Sequence, residues 1–244
     1  MINIKYSNDT IRKKRKAVGT ELIKKSANIK SGTITSISVL DLRILYENYD
    51  RIFFRDWFKN NFKGQILYEL SRRMTKNAGT TKSPRDIRCL KPEQIRITIC
   101  IGIDFFFRFD YLDGRKTVGG IEADHSLEAL QIVFEHELLH VIELVLFHRS
   151  SCRGQRFRSA AKNIFGHTQS HHQIPTNHEI AREKFGINIG DEVRFIFDGK
   201  NLDGIVSNIK KRATVMVADP NGIFSDKNGT RYKKYYVPIR ILSK

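Results

Sequence analysis

Residues 126–147, SLEALQIVFEHELLHVIELVLF, constrain the fold more than any other stretch. Asp124 or Ser126 can cap the amino end of a helix, and Glu128 sits in its first turn, so one long helix is predicted from about Ser126 to Phe147. Into its apolar surroundings the sequence places His136, Glu137 and His140, the pattern H-E-x-x-H. Residues i and i+4 of a helix stack on one face, so both histidines can point a ring nitrogen at one ion. Glu137 is rotated by about 100° and can reach a water on that ion without being a ligand. This is the division of labour of a zinc peptidase: Zn2+ lowers the pKa of its bound water, and the carboxylate takes the proton as general base.

A hydrolytic zinc takes three protein ligands and a water, and the motif supplies two. Glu143 shares the face of His140, but three ligands from one straight helix would spread over about 10 Å of rise. Support of a histidine or plain solvation suits Glu143 better. His148 lies about 12 Å beyond His140 along a continued helix and reaches the metal only if the chain turns back at once.

The rest of the chain frames this helix. Residues 1–36, with IRKKRK and then Ser, Gly and Thr, read as a mobile basic arm. From Val39 to Phe58 the apolar residues Leu42, Leu45, Tyr49, Ile52 and Phe53 recur at helical spacing. ILYELSRRMT (66–75) is a strand candidate. In IRITICI (95–101) isoleucine alternates with Arg96, Thr98 and Cys100, the pattern of a strand with one buried face. A second helix is expected over 154–165, stopped by Gly166. Connecting chain over 167–186 has room for a short helix. From Ile187 onward, short strands separated by Asp-Gly and Asn-Gly corners suggest a small SH3-like β-barrel over 187–244.

Net charge is +17, distributed as +7 over 1–30, +5 over 31–186 and +5 over 187–244. So broad an excess suits an acidic partner, nucleic acid being the commonest. Cys89, Cys100 and Cys152 are odd in number and far apart, which fits reduced thiols in a cytoplasmic protein. The chain shows neither a secretory signal nor an apolar run long enough for a membrane span.

Together these pieces resemble the SprT-like zinc metallopeptidases, the family of the Spartan-like protease domain. The resemblance covers roughly residues 40–170: the helix LYENYDRIFF, then LSRRMTKNAGTTKS, the strand IRITICI, and EHELLH after LEALQIVF. It implies an α+β fold, with a zincin-like domain over 37–172 (helices, a small sheet and the H-E-x-x-H helix), a linker over 173–186 and the barrel as a small basic module. It also implies peptide hydrolysis at zinc, with DNA-linked proteins as substrates. The family's third ligand is a histidine in a segment like H-G-x-x-F. Here the segment is RGQRF: Gly154 and Phe157 fit, but Arg153 stands at the histidine position and has no lone pair to offer. The third ligand is then His167, returning after the second helix, or alternatively Cys152, beside the expected position; His171 and His172 are looser options. The arm and the barrel, with NIKKRATV and RYKKYY, can grip DNA through cations interleaved with tyrosines. The contrasting reading is a non-catalytic, zinc-containing nucleic-acid-binding or interaction protein.

Overall fold

The computed structural model describes residues 4–111, 116–169, 174 and 176–244. The fold is mixed α+β, and the chain divides into two compact units, 1–174 and 175–244.

Residues 4–36 pack into the fold and do not form the mobile arm expected over 1–36. Ser7 caps α1 (Asn8–Lys25) by accepting from the Thr10 N–H, and Ile11, Arg15, Val18 and Leu22 fall on one buried face of it. Ile29 and Ile34, in the segment that follows, enter the same core. Helix α2 (Val39–Phe54) opens with a capping box between Ser38 and Asp41 and buries Leu42, Leu45, Tyr49 and Phe53 of the predicted stripe; Ile52 is half-buried, and the helix stops short of Phe58. A short α3 (Trp57–Asn61) leads to the sheet.

Three strands make that sheet: β1 (Gln65–Ser71), β2 (Gly79–Lys82) and β3 (Arg96–Gly102), in the order β1-β3-β2. β1 runs parallel to β3 and β2 antiparallel to it. Ile97, Ile99 and Ile101 form the buried face of β3, while on the other face Arg96 is exposed, Thr98 half-buried and Cys100 buried, its thiol 3.8 Å from Met74 Sδ. β2 is an edge: among the described residues its second side pairs with no strand.

After α4 (Ile103–Phe107) and the hairpin of β4 (Lys116–Val118) and β5 (Ile121–Ala123) comes α5 (Ser126–Phe147), the predicted helix at its predicted bounds. His125 caps it instead, its Nδ1 accepting from the Glu128 N–H at 3.2 Å. The amino end is held from the N-terminal segment: Ile34 N–H donates to Ser126 Oγ (2.7 Å) and Leu127 N–H to the Gly32 carbonyl (2.9 Å). The second predicted helix is α6 (Gln155–Ala160), running into a π-turn, Ala161–Phe165, and ending at Gly166 with φ 76°.

In the second unit the linker expected over 173–186 contains α7 (Asn177–Phe185), opened by a capping box between Thr176 and Glu179. The strands are β6 (Glu192–Phe197), β7 (Lys200–Ile209), β8 (Ala213–Ala218), β9 (Phe224–Ser225) and β10 (Arg231–Val237). Asp198 and Gly199 turn β6 into β7 with both φ positive (51° and 72°), the backbone that a two-residue hairpin favours. All pairings are antiparallel, in the order β6-β7-β8-β10-β9. That order is open: no closure of the expected barrel occurs among the described residues. Val193, Phe195, Val206, Val215 and Val237 form its core with Ala181 and Ile187.

Candidate metal centre

Helix α5 carries His136 and His140 one turn apart, and their Nε2 atoms lie 3.1 Å from each other. Two nitrogens at ordinary zinc distances of a tetrahedral ion stand roughly 3.3 Å apart, so the pair is already spaced for one metal. After α5 the chain reverses at His148, whose left-handed φ of 54° ends the helix. That reversal brings Cys152 back over the motif. Ligand atoms of His136, His140 and Cys152 all lie within 4.8 Å of one another. Two imidazoles and one thiol are a donor set that zinc accepts, and the residues fit the ion. Phe157, the aromatic of the RGQRF segment, packs against both rings, with centroids at 4.8 and 4.6 Å.

A hydrogen-bonded chain sets the orientation of His140. Arg156 Nε donates to Glu143 Oε1 (2.7 Å), and the Ser150 hydroxyl donates to Glu143 Oε2 (2.7 Å). Ser150 Oγ has spent its proton on Glu143, so at 2.7 Å from His140 Nδ1 it accepts. His140 is thereby the Nδ1–H tautomer, with its Nε2 lone pair turned to His136 and free for a metal. Burial pushes the His140 pKa down to about 4, against the opposing charge of Glu143, so the ring is neutral at pH 7. Of the two readings of Glu143, the buried side chain bonded to His140 through Ser150 fits support of the histidine and not solvation.

Glu137 sits against the edge strand. Thr81 Oγ1 on β2 donates to its Oε2 at 2.7 Å. A Cβ at Gly79 would come within 2.7 Å of Glu137 Oε1, so only glycine lets the strand approach this closely. Burial raises the Glu137 pKa to about 7, opposed by the Thr81 hydrogen bond. A cation held by the histidines would act in the lowering direction. A cleft of about 720 Å³ opens above these groups, lined also by Lys76, Asn77, Thr80, Leu144 and Ser150. Thr81→Val is expected to lower kcat for peptide cleavage by about ten- to a hundredfold, the worth of one hydrogen bond to a charged group, with KM little changed. Thr81→Ser, which keeps the donor, should recover most of it in steady-state assays.

His167 is not at this site. Its Nε2 lies 2.9 Å from Glu135 Oε2 in a fully buried cluster. There Arg15 makes two hydrogen bonds to the Glu135 carboxylate (2.8 and 2.7 Å) and Tyr49 OH donates to it at 2.8 Å. Successive residues on a helix point about 100° apart, so Glu135 and its partner His167 lie to one side of α5 while His136 opens on the cleft. His171 and His172 lie outside the described residues, and Arg153 is exposed. Cys152→Ser is expected to weaken zinc binding by at least about 100-fold, more than loss of a supporting partner costs. His167→Gln should leave it within about threefold. Competition with a chromophoric chelator measures both, and the reverse ranking would reject Cys152 as the ligand. Thr81, Ser150 and Arg156 were not singled out from the sequence, since nothing local marks a polar residue as a partner across the fold.

No family model matches the chain, and no curated protein or solved structure matches it.

Proposed function

We propose that this chain is a zinc-dependent metallopeptidase of the SprT-like, zincin type that cleaves proteins bound or linked to DNA. The observation that carries the reading is the convergence of His136, His140 and Cys152 beside the buried carboxylate of Glu137, on the floor of an open cleft. His136, His140 and Cys152 would hold the ion, and zinc there supplies a Lewis acid for the peptide carbonyl and the attacking water. Glu137 accepts the proton of that water and returns it to the departing amine. The Nδ1–H tautomer of His140 keeps its Nε2 available, and Thr81 keeps the base turned toward the cleft. An extended peptide pairs with the free edge of β2 through main-chain hydrogen bonds. DNA-linked substrates follow from the family resemblance, and the exposed Lys210, Lys211 and Arg212 of the β7–β8 turn suit phosphate contact. No helix among the described residues is long and apolar enough to cross a membrane.

Stripping the metal with a chelator should abolish cleavage of an unfolded protein presented on DNA, and one equivalent of zinc should restore it. One observation favours the non-catalytic alternative: a thiolate ligand adds negative charge and weakens the Lewis acid. Full zinc occupancy with no cleavage of any unfolded protein would decide for that alternative.

A further inference from the structure

The first unit, residues 1–174, holds 30 Lys and Arg against 18 Asp and Glu. That excess is concentrated. Segments 72–91 and 148–158 hold 11 of the cations against a single acid, Asp86, while the remainder of the unit is only +2. Both segments reach the lips of the cleft: the first contributes Lys76, Thr81 and Ser83 to its lining, and the second contributes Ser150 and Cys152, which Arg149 and Arg153 adjoin in sequence. Lys82 and Arg156 are spent on Glu69 and Glu143. Arg73, Lys76, Arg85, Arg88, Arg149 and Arg153 are exposed and have no acidic partner among the described residues. Crowding like charges destabilises a fold through self-repulsion, so their placement gains nothing structurally. Charge of one sign around a cleft focuses the field on whatever enters it.

The occupant is an anion, and the geometry distinguishes two kinds. A nucleic-acid strand there would bring no peptide bond to Glu137. A peptide paired to the free edge of β2 runs along the cleft and sends its side chains alternately to either side. We propose that the cleft selects extended peptide segments bearing Asp or Glu within a few residues of the bond presented to Glu137. This rests on the peptidase reading and adds its substrate preference.

The test uses the zinc-loaded, full-length Glu137→Gln chain, in which binding is read without turnover. A fluorescent peptide with glutamates flanking its centre is compared by anisotropy with its glutamine counterpart. The acidic peptide should bind about tenfold more tightly at low salt, and the advantage should shrink to about twofold at 0.5 M salt. Lys76→Glu with Arg153→Glu should remove the preference. Lys16→Glu with Lys24→Glu, the same charge change on the exposed side of α1, should keep it. Equal binding of the two peptides overturns the proposal. So does tighter binding of a single-stranded oligonucleotide that the same lip substitutions abolish. Acidic peptide bound but never cut by the unsubstituted chain rejects the peptidase reading and leaves the cationic cleft standing. Cleavage with no preference for acid rejects the cationic selection alone.

Discussion

Glu137→Gln is expected to cut peptide hydrolysis by about 1000-fold while zinc content stays at the level of the unsubstituted chain. Glutamine fills the same space between Gly79 and Thr81 and can still accept the Thr81 hydroxyl, but it takes no proton from water. The ligand set is untouched, so metal analysis and a cleavage assay on an unfolded protein separate loss of the base from loss of the ion. Retained cleavage would end the general-base assignment. The pH profile carries a matching signature. A base works deprotonated, so the rate rises with pH through the folded pKa of Glu137, and burial sets that pKa at about 7 without metal. Bound zinc opposes burial, so the acid limb of the loaded chain should fall below pH 7 and vanish in the glutamine variant.

Arg15→Met is expected to destabilise the first unit by about 3–5 kcal/mol, the cost of leaving one partner of a buried ion pair alone. Arg15 and Glu135 are both almost fully buried, and the guanidinium also donates to the Phe165 carbonyl at 2.7 Å. Burial alone would raise the Glu135 pKa; Arg15 and the His167 contact outweigh it and hold the carboxyl below its ordinary value. The sign in the unsubstituted chain follows. A depressed pKa contributes stability that is present above the unfolded carboxylate range and is lost as pH falls through the folded pKa. In Arg15→Met burial prevails, the folded pKa rises, and protonation relieves the uncompensated charge. The stability deficit should therefore narrow as pH is lowered from 7 toward 5. Urea denaturation of the two chains across that range measures it, and a deficit under about 1 kcal/mol at pH 7 would show that the pair is dispensable.

The parts of the fold that were legible in the sequence are those where one local period decides. Helix α5 was legible from its long apolar run, although His125 and not Asp124 or Ser126 caps it, β3 from its alternating isoleucines, and the Asp198–Gly199 hairpin from its turn residues. Helix α1 was missed because Arg15 interrupts a stripe that is otherwise Ile11, Val18 and Leu22, so a buried face read as part of a charged run. Its partner Glu135 is 120 positions away, beyond any local pattern. The metal site divides the same way. His136, Glu137 and His140 share one turn of helix, and their spacing carries their geometry. The choice between Cys152 and His167 depended on where the chain turns after α5. The left-handed residue there is His148, not the glycine that would have announced it. Thr81 and Ser150 are invisible in sequence because each acts through a hydrogen bond that only tertiary packing makes.

The clasp between α1 and α5 also bears on how the molecule opens. Helix α1 carries the counter-charge for a residue adjacent to His136, and its departure would leave Glu135 ionised in an apolar interior. The backbone amides of α1 are therefore tied to the same opening event as those of α5. The two helices are expected to exchange with solvent as one cooperative unit, so that the turn of His136 and His140 is as long-lived as the helix that braces it.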